Sequence, residues 1–133
     1  MKTQNKTLLL IQPDFLSYKD AIKEILCDNG FKIVEEFLFR FTKEDASAFF
    51  SKYAQEHSFL DLINYMSFDD VIVMVLEKEN AVEDLKTILG APNPMKAEKG
   101  TIRALLGISV MRNVCFGSDS EEDVERELKL FFG

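Results

Sequence analysis

The sequence predicts an α+β fold in which one four-stranded antiparallel sheet is covered by helices. Two observations carry this. Apolar runs of strand length, "TLLLIQ" (7–12), "FKIVEEFLFRF" (31–41), "VIVMVLE" (71–77) and "VCF" (114–116), alternate with stretches whose apolar residues recur at helical spacing. The resulting order is strand, helix, strand, helical hairpin, strand, helix, long loop, strand, helix, which is close to a ferredoxin-like split βαβ with insertions. At 133 residues the chain has the size of one domain, 1–133, with a core that needs neither metal nor disulfide.

The first strand stops at Pro13, and "SYKDAIKEILCDNGF" places Ala21, Ile22, Ile25 and Leu26 on one helical face. Gly30 suits a left-handed helix stop. In the second strand the alternation is clearest from Phe37 to Phe41. Thr42, with Glu44 and Asp45 behind it, reads as a helix start, and "KEDASAFFSKYAQEH" and "SFLDLINYM" form two short helices joined near 56–58. The third strand is the most apolar, and "NAVEDLKTILG" is an amphipathic helix ending at Gly90.

"APNPMKAEKG" (91–100) has the composition of an exposed loop. "TIRALLG" reads as a short helix, and "SVMRN" as a turn or a second short helix. The last helix lies in "SDSEEDVERELKLFF", with Ser120 or Ser118 as its cap and acidic residues on its first turn. No repeat of solenoid spacing and no low-complexity tail interrupts this organisation.

Composition excludes several functions. A net charge of −7 opposes a nucleic-acid or anionic-membrane partner, because neutralising phosphates takes clustered Lys and Arg. No apolar run approaches the roughly 20 residues that span a bilayer. "MKTQNKTLLLIQPD" is too short an apolar stretch for a signal peptide, so a cytoplasmic protein is expected. Cys27 and Cys115 lack partners at metal-ligand spacing and are expected to be buried free thiols.

The segment "RNVCFGSDSEED" (112–123) has the form of a turn that presents a reactive side chain, yet it offers Phe116. Glu121, Glu122 and Asp123 are explained by the helix dipole, so no metal site is expected there. His57, the one histidine, lies on the helical hairpin and is expected to be a surface residue. Phe49, Phe50 and Phe59 are expected to pack in the core.

Six separated segments, "TLLLIQPD", "NGFKIVEEFLFRFTKEDA", "INYMS", "VIVMVLEKENAVEDLKTILGAPNP", "KGTIRALLG" and "RNVCFGSDSEEDVERELKLFF", together resemble nucleoside diphosphate kinase domains over residues 7–132. Members of that family pass a γ-phosphate through a phosphohistidine in an N-x-x-H-G-S-D motif. Here the motif reads Asn113, Val114, Cys115, Phe116, Gly117, Ser118, Asp119, so Phe116 stands at the histidine position. The resemblance also places Gln12 at the phosphate-binding lysine and Phe50 at a tyrosine. Glu56 falls at an arginine, Ser58 at the base-stacking phenylalanine and Pro92 at a loop threonine. Lys86 replaces another arginine, while Arg103 and Asn113 are retained. Ser118 and Glu127 match residues that support the histidine, but they also read as a helix cap and a helix-surface acid.

Losing a charge-assisted contact costs about 1.5–3 kcal/mol, so these departures are expected to weaken nucleotide binding by several powers of ten. The resemblance therefore implies a pseudoenzyme with no catalytic residue, not an enzyme, working as an interaction or assembly module. "IRALLG" is similar to the divergent ciliary branch, and degenerate copies also occur in thioredoxin-fused members, so a cilium or flagellum is an expected setting. The alternative is a nucleotide or anion sensor using Lys86, Arg103 and Asn113. No cofactor is expected, with weak magnesium-nucleotide binding left open. The resemblance implies a homodimer or higher homo-oligomer, with the first helix and second strand making the dimer and residues 91–100 aiding larger assembly.

Overall fold

The computed structural model describes residues 5–133; residues 1–4 of the expected domain lie outside it. Strands β1 (Lys6–Ile11) and β3 (Val71–Glu77) form the centre of a four-stranded sheet, with β2 (Lys32–Phe39) and β4 (Cys115–Gly117) at its edges in the order β2-β3-β1-β4. All neighbours are antiparallel, as expected. The helices are α1 (Lys19–Asp28), α2 (Lys43–Phe49), α3 (Phe59–Ser67), α4 (Ala81–Leu89), α5 (Ile102–Leu106) and α6 (Glu121–Phe132).

Helices cover both faces of the central strands, which is why "LLLI" and "VIVMVL" read as unbroken apolar runs. Successive strand residues point to opposite faces. Leu9 and Ile11 meet Ile22 and Leu26 of α1 and Leu85 and Leu89 of α4. Leu8 and Leu10 meet Phe49 of α2, Ile63 and Met66 of α3, and Val124 and Leu128 of α6. Each buried side chain of this size contributes about 1.5–3 kcal/mol relative to an exposed one.

The second face is aromatic. Phe116 packs edge-to-face on Phe49 and Phe50 with centroids 5.6 and 5.3 Å away, and Phe49 continues to Phe131 at 5.6 Å. Phe131 in turn meets Phe37 and Phe39 of β2. Rings therefore run without a break from β4 to β2.

One residue explains how β2 joins both layers. Ile33 pairs with Leu76 and Glu35 with Val75, which leaves Val34 as a bulge. An inserted residue reverses the facing of everything beyond it. Ile33 accordingly packs on the α1 side, whereas Phe37 and Phe39 pack on the α6 side. Glu36, turned toward α1, pairs with Lys23 at 2.6 Å and Lys19 at 3.7 Å.

Several expectations are corrected by packing. Cys27 is exposed, because α1 turns it away from the sheet; Cys115 is buried. Ala21 is likewise exposed. The 91–100 loop is only partly exposed, since Pro94 is buried in a 3-10 turn. Between α5 and β4, residues 107–114 form a turn, the first of the two expected alternatives. Ser120 caps α6 by accepting the Asp123 N–H at 3.1 Å, an interaction worth about 1 kcal/mol. Glu127 is fully buried, because it shares the inward face of α6 with Val124 and Leu128.

Candidate functional site

Beyond the β4 edge lies a cleft of about 1070 Å³ between the α2–α3 hairpin, the end of α4, the 91–100 loop, α5 and the turn before β4. Its polar wall is built around Gln12, which directly follows β1. The Gln12 amide donates to the Met111 carbonyl and to Asn113 Oδ1, both at 3.0 Å. Its Oε1 accepts the Val114 N–H at 3.0 Å, while its own backbone N–H donates to the Val114 carbonyl at 2.9 Å.

These bonds hold Val114 at φ 81, a left-handed conformation that a β-branched residue seldom adopts and that costs of order 1–3 kcal/mol. The strained residue sets the turn from which Cys115 and Phe116 project. Asn113 adds a bond from Nδ2 to the Pro92 carbonyl at 3.0 Å, tying the turn to the loop.

Arg103 braces the same turn. Its Nε donates to the Asn113 carbonyl at 3.3 Å, Nη1 to Gly90 at 2.8 Å and Nη2 to Cys115 at 2.7 Å. Burial lowers its pKa, with Cys115 and Asp119 acting in the opposite direction. The position of the Gly90 carbonyl depends on glycine: Gly90 has φ 87, and a Cβ there would lie 2.5 Å from Thr101 Oγ1.

The opposite wall is apolar and includes Phe50, Tyr53, Leu62, Met66 and Phe116. Phe116 is half-buried, and its ring supplies no lone pair for attack on phosphorus. Cys115, its neighbour, does not replace a nucleophile, because burial pushes the thiol pKa up to about 12.

At the cleft mouth Lys52 donates to Asp119 at 2.5 Å and Asp123 at 2.7 Å, joining the hairpin to the start of α6. Burial works against the Lys52 charge, but these two hydrogen bonds raise its pKa. Below the turn, Ser118 donates to Glu127 Oε1 at 2.6 Å and accepts the Leu8 N–H at 3.3 Å. Among the described residues Glu127 Oε2 has no hydrogen-bond partner, and burial raises the Glu127 pKa to about 7, with Ser118 and Arg126 opposing the shift.

The structure brings Gln12, Phe50, Glu56, Ser58 and Lys86 to this cleft, together with Pro92, Arg103, Asn113 and Phe116. His57, Ser118 and Glu127 do not line it. Sequence reasoning missed Tyr53, Lys96, Glu98 and Met111 in the lining and the Lys52 bridge. The bridge joins residues 67 and 71 positions apart, so no local spacing discloses it.

An antiparallel split βαβ sheet with a cleft at its edge, one wall hydrogen-bonded and the other aromatic, defines an α+β domain of the ferredoxin-like class with a candidate ligand site. The chain belongs to the nucleoside diphosphate kinase family, whose model, described as "Nucleoside diphosphate kinase", matches residues 5–133. It is 42% identical to "Probable nucleoside diphosphate kinase 5" of Arabidopsis thaliana, covering 92% of this chain and 89% of that protein. It is 37% identical to "Nucleoside diphosphate kinase" of Histophilus somni strain 129Pt, covering 98% of this chain and 94% of the relative. The crystal structure of Aquifex aeolicus nucleoside diphosphate kinase superposes with a TM-score of 0.93 at 30% identity, over 97% of this chain and 95% of that one.

These relatives overturn the expectation that the chain is not an enzyme, since proteins 42% and 37% identical over nearly its whole length are named nucleoside diphosphate kinases. That expectation rested on Phe116 at the histidine position and Gln12 at the lysine position; it counted Gln12 as a loss alone, whereas its side chain holds Met111, Asn113 and Val114 in the turn before β4.

Proposed function

We propose that this member of the nucleoside diphosphate kinase family serves as an assembly module that self-associates along the β2 edge, as a homodimer first. The observation that carries this reading is the outer edge of β2. Among the described residues it pairs with β3 on one side only, and it exposes Leu38 at 62%. A long edge carrying an exposed apolar residue is a template for pairing with another chain. The bulge at Val34 leaves 35–39 as the regular part of this template. A cilium or flagellum as setting is supported by the "IRALLG" resemblance alone, and localisation of the tagged chain tests it.

Sedimentation velocity tests the association. The wild-type chain sediments as a dimer at micromolar concentration, and Leu38→Lys shifts it to monomer with unchanged circular dichroism. A wild-type monomer, or a Leu38→Lys dimer, overturns the reading.

The cleft favours a second reading, a nucleotide or anion sensor. Arg103 is held in place by three carbonyls and lines the cleft together with the exposed Lys86, which lies 3.6 Å from Glu83. Thermal-shift titration with ADP and GTP, with and without magnesium, gives a rise in melting temperature if this reading holds. No shift at millimolar ligand ends it.

A further inference from the structure

The α2–α3 hairpin is fastened to the rest of the molecule unevenly. Its helices are anchored by burial: Phe49, Phe50, Ile63 and Met66 pack into the second face of the sheet, and Arg126 of α6 donates to the Phe49 carbonyl at 3.3 Å. The connection between them, residues 51–58, has no buried side chain. Its backbone bonds are local, with the Tyr53 N–H donating to the Phe50 carbonyl, Ala54 to Ser51 and Glu56 to Tyr53. A segment with so few buried contacts opens locally at low cost.

This segment forms one side of the cleft, through Tyr53, Glu56 and Ser58. Among the described residues, Lys52 makes its only side-chain hydrogen bonds, to Asp119 at 2.5 Å and to Asp123 at 2.7 Å. Both carboxylates stand on fixed backbone. The Ser118 N–H, beside Asp119, donates to the Leu8 carbonyl of β1, and the Asp123 N–H is the one that Ser120 caps.

An isolated exposed ion pair contributes little, because two long side chains must be ordered to make it. Lys52 instead brings one ammonium to two short carboxylates that are already placed. Its Nζ also lies 5.8 Å from the centroid of the Tyr53 ring, within cation–π range, which couples the ion pairs to a residue of the cleft lining. The side chains of Lys52, Asp119 and Asp123 are 34%, 48% and 21% exposed, so salt reaches and screens the contact.

We propose that Lys52 is an electrostatic latch: paired with Asp119 and Asp123, it holds segment 51–58 against the start of α6 and so sets how far the cleft is open. This rests on the sensor reading and names the regulation of its site. Amide hydrogen exchange of the intact wild-type, Lys52→Met and Lys52→Arg chains, at low and at about 1 M sodium chloride, tests the latch without any ligand. At low salt Lys52→Met exchanges about two- to tenfold faster over residues 53–58, with β1 and β3 unchanged, and Lys52→Arg stays close to wild type. High salt speeds the same residues in wild type and adds nothing in Lys52→Met.

The salt comparison needs no variant, so a folding defect in Lys52→Met leaves the test intact. Exchange over 53–58 that is indifferent to salt in wild type overturns the proposal, as does equal exchange in wild type and folded Lys52→Met at low salt. Titration of the same proteins with magnesium ADP separates the two readings. Exchange as stated with no binding of magnesium ADP to either protein overturns the sensor and supports the latch.

Discussion

The two edges of the sheet are built differently. The β2 edge is eight residues long, carries its bulge near one end and exposes Leu38 in its regular half. The β4 edge is three residues long and ends at Gly117, where a Cβ would lie 2.9 Å from Leu89 Cδ1. An edge so short offers little for another strand to pair with. Its backbone is instead committed to the turn that Gln12 and Arg103 hold over the cleft. One edge has β3 as its single strand partner among the described residues, while the other is closed by hydrogen bonds and borders the cleft. The rings that connect them run from β4 to β2 through contacts that have no donor or acceptor to satisfy.

Removing the connection has the largest expected effect. Phe49 touches Phe116 on the β4 side and Phe131 on the β2 side, so Phe49→Ala opens a cavity between them. A loss of about 4 kcal/mol is expected in urea denaturation. A loss below about 1 kcal/mol would show that the rings are not tightly packed.

Gln12→Ala separates the edges. It leaves the buried Val114 N–H without its acceptor and releases Met111 and Asn113, for an expected loss of about 3 kcal/mol. Sedimentation of the folded variant remains that of a dimer, because β2 is untouched; dissociation would break the comparison.

Glu127→Gln sharpens it at smaller scale. The folded-state pKa of Glu127 is raised from 4.5 to about 7 by burial, so the native state holds this proton more firmly than the unfolded state. Stability is therefore lost as pH rises from about 4.5 to about 7, and the loss persists above it. Glutamine retains an acceptor for Ser118 and cannot ionise. The variant is expected to be more stable than wild type by on the order of 2 kcal/mol at pH 8 and nearly equal at pH 4.5. Equal melting temperatures at pH 8 would contradict this.

Much of the scaffold was readable in advance, for reasons visible in particular residues. β1 and β3 are unbroken apolar runs because both their faces are covered, and the helical repeat of α4 is explicit in "AVEDLKTIL". The bulge at Val34 was not readable, because one added residue in "KIVEEF" leaves no local mark while it reverses the faces of all that follows. Glu127 was taken for a surface acid because its type outweighed its place in the helical repeat beside Val124 and Leu128.

The cleft residues were placed by resemblance and do converge, but their hydrogen bonds were not foreseeable. Gln12 finds Asn113 and Val114 across 101 and 102 positions. Reading residue 12 as a lysine replaced by a neutral amide therefore described a loss and missed the turn that this amide secures.

The proposed assembly along β2 is tested most directly by amide hydrogen exchange at two protein concentrations, one below and one above the dissociation constant. The account predicts that protection of residues 32–39 and the facing part of α1 rises with concentration, while that of β4 stays constant. Exchange in β2 that is independent of concentration in both samples would contradict it.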